Sequence, residues 1–161
     1  KGRKMIVSPD LHLYTPEGIY IWTPERSKKA WAKAYSEVRD FVETHKPPKI
    51  VMMCGIPASG KSTWIRKNGS EEVLYYDATF SERQIRMKFI SFVRGFTETP
   101  IEVVYLNTPT KICRKRNDER SEDRKVPDIA MQRMSDAFSR DGLPSLEEGF
   151  EKVTIVCYRA N

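Results

Sequence analysis

Eight residues constrain this chain more than any others: Gly55-Ile56-Pro57-Ala58-Ser59-Gly60-Lys61-Ser62. They follow the unbroken apolar run Ile50-Val51-Met52-Met53-Cys54 and lead into Thr63-Trp64-Ile65. That order is strand, glycine-cornered loop, helix, with the G-x-x-x-x-G-K-[ST] spacing of a phosphate-binding loop. Gly55 and Gly60 permit torsion angles that other residues resist, so the backbone can turn tightly around an anion. The loop amides from about Ala58 through Ser59 and Gly60 to Ser62 are expected to point at phosphate oxygens, with Thr63 completing the nucleotide-binding set. Pro57 carries no amide hydrogen, so the cradle depends on Ala58 onward. Lys61 would neutralise the β- and γ-phosphates of ATP or another NTP, and the Ser62 hydroxyl would ligate Mg²⁺.

The rest of the chain supplies a frame for that loop. After Ile50–Cys54, strand-like runs recur at Glu72–Tyr76, Ile101–Leu106 and Val153–Tyr158, separated by helical patterns. One helix starts near Ser81 and carries Ile85, Phe89, Phe92 and Val93 on a face; another opens at Thr108-Pro109 and a third at Val126-Pro127. Alternating strands and helices predict an α/β fold, a three-layer arrangement with a parallel central sheet. At 161 residues, 39% hydrophobic and 11% aromatic, the chain is long enough to bury a core and too apolar for disorder.

Residues 1–48 read as an N-terminal extension packed on a phosphate-loop domain spanning 49–161. His12-Leu13-Tyr14 and Ile19-Tyr20-Ile21-Trp22 flank the turn-forming Thr15-Pro16-Glu17-Gly18, which predicts a hairpin. A helix follows. Thr23 suits its N-cap and Pro24 its first position, and Trp31, Ala34, Tyr35, Val38, Phe41 and Val42 form one apolar face before Pro47-Pro48 ends it. Cys54, Cys113 and Cys157 fit neither a zinc spacing nor a disulfide framework and read as buried thiols. No apolar run approaches membrane-spanning length and no leader pattern opens the chain, so the expectation is a soluble, cytoplasmic protein with no membrane partner. The oligomeric state is not legible.

Two further features bear on chemistry. Asp77 ends the strand after the loop's helix, where ligands of open parallel sheets lie. It could hold Mg²⁺, or accept the proton of an attacking hydroxyl. Lys111–Lys125 holds seven basic residues and four acids, net +3, half of the chain's +6. Arg116, Arg120 and Arg124 are four apart, so a helix through them would align them on one face, placed to clamp a transferring phosphoryl group as a lid. Tyr75, Tyr76 and Trp64 could stack a base, but core packing is the better account of them.

Taken together, the loop Gly55–Thr63, Asp77-Ala78-Thr79-Phe80, Leu106-Asn107-Thr108-Pro109, Arg116-Asn117-Asp118-Glu119-Arg120, Val126-Pro127 and Glu148-Gly149-Phe150 resemble, in that order, the kinase module of the polynucleotide 5′-hydroxyl kinase family. The resemblance covers residues 49–157. It implies an ATP- and Mg²⁺-dependent transfer to the 5′-hydroxyl of a nucleic acid in end repair. Lys61 and Ser62 would carry over directly, Arg120 would be the lid arginine, and Arg116 a second phosphate contact. The family also has an acidic residue between the loop's helix and the Asp-x-Thr motif, serving as general base. Fifteen residues from Lys61 to Asp77 leave no room for it. Either Asp77 inherits that role in a compact variant, or residues are missing, or the acceptor differs. A small-molecule kinase and a nucleotide-binding module without transfer are the competing readings.

Overall fold

The computed structural model describes residues 4–160. From Ile50 onward the expected alternation is present: β2 (Ile50–Cys54), α2 (Lys61–Asn68), β3 (Leu74–Asp77), α3 (Arg83–Arg94), β4 (Ile101–Asn107), α4 (Thr110–Asp118), α5 (Asp128–Asp141) and β5 (Lys152–Cys157). The N-terminal part contributes β1 (Met5–Val7) and α1 (Pro24–His45). All five strands form one sheet in the order β1-β3-β2-β4-β5, and every pairing is parallel. The protein thus has an α/β fold with a five-stranded parallel sheet flanked by helices, consistent with a P-loop NTPase or kinase fold. β2 lies at the centre, and all five of its residues are buried, as an unbroken apolar run in a parallel sheet requires.

The two faces of the sheet are covered unequally. On one, Ile50, Met52 and Cys54 meet residues of α1, α3 and α5 in a single cluster. On the other, Val51, Met53, Tyr75 and Val104 pack with Ile65 of the short α2. α1 begins as its sequence predicts: Thr23 Oγ1 accepts a hydrogen bond from the Arg26 amide at 3.1 Å, with Pro24 in the first turn. Ala30, Ala34, Val38 and Val42 are its buried stripe. Beside it, Trp31 and Tyr35 enter an aromatic cluster, with Tyr35 4.5 Å from Phe92 and Trp31 5.7 Å from Phe80, centroid to centroid. Tyr75 and Tyr76 are buried in the core, and Trp64 packs against it, so none of the three is a free stacking platform.

Beneath β3 lies a fully buried ion pair. Arg86 Nε donates to Glu148 Oε1 at 2.6 Å and Nη2 to Oε2 at 3.1 Å, with both side chains at 0% exposure. The remaining guanidinium donors reach the carbonyls of Phe80 (2.9 Å) and Gly142 (3.1 Å), and Glu148 Oε2 also accepts from the Ser145 amide. With four hydrogen bonds from the guanidinium, two of them to the carboxylate, the pair can be buried without an orphaned charge. Glu148 of the Glu-Gly-Phe motif therefore anchors the C-terminal segment to α3.

Three expectations change. The hairpin before α1 is reduced to one antiparallel bridge, Tyr14 with Tyr20, preceded by a turn of 3-10 helix at Pro9–His12. The 3-10 turn takes up His12 and its C-cap Leu13 leaves the extended conformation, so the first arm of a ladder is lost. His12 pairs with Glu37 of α1 instead of lying in a strand. Among the thiols, Cys54 and Cys113 are buried but Cys157 is exposed, because it ends the edge strand β5.

Candidate active site

β2 delivers the chain into the phosphate loop at the carboxyl end of the sheet. Gly55 turns first, at φ 151°, and a Cβ there would stand 2.6 Å from Ser59 Oγ and 3.2 Å from the Leu106 carbonyl. Only glycine fits that approach. Ala58 takes a left-handed φ of 66°, uncommon for a residue with a side chain, and Gly60 caps α2 at φ 106°. The Ser59 carbonyl accepts from Thr108 Oγ1 at 2.7 Å, which ties the loop to the end of β4. Ser59 Oγ itself is buried without a hydrogen-bond partner. Thr63 is exposed on the first turn of α2.

Lys61 folds inward. Its Nζ donates to the Gly55 carbonyl at 2.8 Å and the Ile56 carbonyl at 3.2 Å. Burial holds the ammonium below the ordinary lysine range, opposed by the charge of Asp77. Ser62 Oγ donates to Asp77 Oδ2 at 3.1 Å. Burial raises Asp77 above the usual carboxylate range, while Lys61 and Ser62 pull it back. A hydroxyl and a carboxylate side by side are a hard-oxygen donor set of the kind Mg²⁺ uses, with phosphate oxygens and water completing its shell. The orphaned Ser59 hydroxyl, the cradle that a Cβ at Gly55 would fill and the inward ammonium also fit a bound triphosphate.

The three arginines expected to form a lid take separate courses. α4 stops at Asp118, so Arg116, Arg120 and Arg124 do not share one helical face. Arg116 is on the last turn of α4 and donates Nη1 to the Ala58 carbonyl at 3.1 Å. Its guanidinium also lies 5.8 Å from the ring centroid of Tyr158, just past β5. Arg120 follows the helix, its amide bonded to the Asn117 carbonyl, and its charge bears on Lys61. Asn117 is buried and holds Val126 through both main-chain groups, at 2.7 and 3.0 Å, which fixes the return of the lid before α5. Arg124 turns away from the loop and lies over the Tyr20 ring at 4.8 Å and the Tyr14 ring at 5.6 Å.

The structure thus brings Lys61, Ser62, Asp77 and Arg116 together at the loop, with Arg120 near enough to act on Lys61. Sequence reasoning missed three residues. Thr108 reads only as a helix opener and Tyr158 only as the end of a strand, and no sequence motif marks Asp10. Asp10 is the least legible, since it lies 45 residues before Gly55, and only the pairing of β1 with β3 brings it to this end of the sheet.

Comparison with protein families matches residues 67–140 to a family described as an AAA domain. The match covers less than half of the chain and begins after the phosphate loop, so it is independent of that motif. Together with the loop and the sheet, it supports a P-loop kinase module that binds a nucleotide. No curated protein matches the chain significantly. Among the described residues, no helix is long and apolar enough to cross a membrane.

Proposed function

We propose that this protein is an ATP-dependent kinase that moves the γ-phosphate to a hydroxyl acceptor, the 5′-hydroxyl of a polynucleotide, in nucleic-acid end repair. The observation that carries the reading is the convergence on one loop of Lys61, the Ser62–Asp77 pair and Arg116 from the end of α4. A phosphate loop alone serves many ends. Cations closing over it from a separate lid suit transfer, whose charge spreads over the equatorial oxygens and needs fixed donors.

In this reading the loop amides and Lys61 bind the β- and γ-phosphates, Ser62 and Asp77 hold Mg²⁺, and Arg116 and Arg120 stabilise the transferring group. Mg²⁺ supplies charge neutralisation at the bridging phosphate oxygens. The net +6 and the basic lid favour a polyanionic acceptor. A second reading, a kinase for a small molecule, draws on a cleft of about 280 Å³ beside the loop, lined by Ile56, Asn107, Thr110, Ser135 and Phe138 among others.

The test is transfer of label from radiolabelled ATP to a 5′-hydroxyl oligonucleotide. Lys61→Ala should reduce it by about 10³-fold, the scale of losing a fixed donor at the developing charge. Label transfer that survives the substitution would sink the assignment. Acceptor binding that ignores salt would favour the small-molecule reading, because counterion release makes polynucleotide binding steeply salt-dependent.

A further inference from the structure

An attacking hydroxyl needs a group to orient it and take its proton. Asp77 is poorly free for that work, because it is already bonded to Ser62 at 3.1 Å in the arrangement that suits a divalent ion. The site offers a second carboxylate from an unexpected part of the chain. β1 runs parallel to β3 with Val7 level with Tyr76, so the chain leaves β1 at the same end of the sheet as Asp77. Ligands of open parallel sheets lie outside that end. Ser8 and Pro9 then turn into a 3-10 helix, and Asp10 is in its first turn.

Asp10 is exposed, yet it is held. The Tyr20 phenol donates to Asp10 Oδ1 at 3.1 Å across the small bridge-closed loop. Burial and the Asp10 charge push the Tyr20 hydroxyl above the ordinary tyrosine range, so it remains a donor. Arg124 of the lid stacks on Tyr20, and the charge of Arg120 also bears on Tyr20. Asp10 in turn acts on both Lys61 and Asp77, with no hydrogen bond to either. A carboxylate that is open to solvent, fixed by a phenol, facing the lid and within the field of the phosphate-loop lysine has the placement a base requires.

Building on the phosphotransfer reading above, we propose that Asp10 is the general base and that residues 5–22 form the acceptor side of the site. The acceptor O–H gives its proton to an Asp10 carboxylate oxygen as the acceptor oxygen bonds to the γ-phosphorus of ATP. The bond from that phosphorus to the β–γ bridging oxygen breaks, and its electron pair leaves on ADP. Tyr20 is a positioning residue that keeps the carboxylate turned toward the acceptor.

The experiment compares wild type, Asp10→Asn and Tyr20→Phe in the full chain, with ATP, magnesium and a 5′-hydroxyl oligonucleotide. Three quantities are read: kcat for transfer, KM for the oligonucleotide, and Kd for ATP with and without magnesium. Asp10→Asn should lower kcat by about 10²–10⁴-fold, the range of general base catalysis, with ATP affinity and its magnesium dependence unchanged. Tyr20→Phe should lower kcat by roughly 10-fold through misplacement of the base, again with unchanged ATP affinity. Retained ATP binding shows that the variants are folded. Normal transfer by Asp10→Asn would overturn this inference and leave the proposed function standing. A shift in the magnesium dependence of ATP binding would overturn it too, by making Asp10 a metal-holding group. Wild type that binds ATP but phosphorylates neither the oligonucleotide nor a panel of nucleosides and sugars would overturn both.

Discussion

Two carboxylates stand at the ends of neighbouring strands, and the chain holds them by different means. Asp77 ends β3, is half-buried, and is bonded to a serine fifteen residues earlier. Asp10 follows β1, is exposed, and is bonded to a tyrosine ten residues later. The proposed donor side, Ile50–Asp77, is one continuous strand–loop–helix–strand unit, so its geometry follows from local rules. The acceptor side, Met5–Trp22, is assembled by pairing with β3, by packing on α1 and by two aromatic contacts with the lid. In the proposed reading, a locally built donor site and an acceptor side assembled from distant segments suit an enzyme in which the triphosphate is generic and the acceptor sets specificity.

The difference can be tested by perturbations that should strike both sides, one side, or neither. The largest effect is expected where the sides share a foundation. Glu148→Gln unpairs a buried guanidinium and should cost about 3–5 kcal/mol of folding stability in urea denaturation. Arg86 also supports the Phe80 carbonyl behind β3, so donor and acceptor binding should decline together as the folded fraction falls. Loss of one without the other would show that the two sides are not built on a common base.

Next comes Asp77→Asn. It should reduce transfer by about 10²–10³-fold and weaken the magnesium dependence of ATP binding, with oligonucleotide KM little changed. An effect confined to acceptor KM would reverse the roles given to the two carboxylates. Arg124→Ala should be milder. It removes the stack on Tyr14 and Tyr20, worth roughly 0.5–2 kcal/mol, and should raise acceptor KM by at most about 30-fold while ATP Kd stays the same. A weakened ATP affinity in that variant would mean that the lid belongs wholly to the donor side.

The smallest effect is chemical and leaves the fold intact. Cys54 donates to the Thr79 and Phe80 carbonyls just before the loop, and burial pushes its thiol up to about 12. Since the thiolate is the reactive form, iodoacetamide at pH 8 should label Cys157 and spare Cys54 until the protein unfolds, as read by peptide mass. The sign follows from the raised value: burial keeps Cys54 in its unreactive thiol form at pH 8. Early labelling of Cys54 would mean that the donor side opens more readily than its burial implies.

What was legible in the sequence follows the same division. The phosphate loop, Asp77 and α1 each announce themselves within about twenty residues, through glycine spacing, an apolar strand and a Thr-Pro cap. β1 does not. Three residues, Met5-Ile6-Val7, carry no periodic signal, and their partner is about seventy positions away in the sequence, beyond the reach of any local rule. Arg86 was hidden differently. It falls on the buried stripe of α3 with Phe89, Ile90 and Val93, and a charge on an apolar helix face is a signal that its partner is buried too. The resemblance pointed to Glu148 without saying what it does. The spacing excludes the family's acceptor segment between Lys61 and Asp77, and the proposed substitute, Asp10, lies ahead of the loop, where only the pairing of β1 with β3 brings it to the carboxyl end of the sheet.

That placement has a consequence for the order in which the protein is made. β1 emerges from the ribosome long before the strand it pairs with. At about 5–20 residues per second it waits roughly 3–14 seconds for β3. During that interval Asp10 has no neighbouring strand to hold it at the carboxyl end of the sheet. Arrested nascent chains ending before Leu74 should therefore leave residues 5–22 open to protease, and chains extending well past Asp77 should protect them. The sheet edge thus ties the ordering of residues 5–22 to the translation of β3.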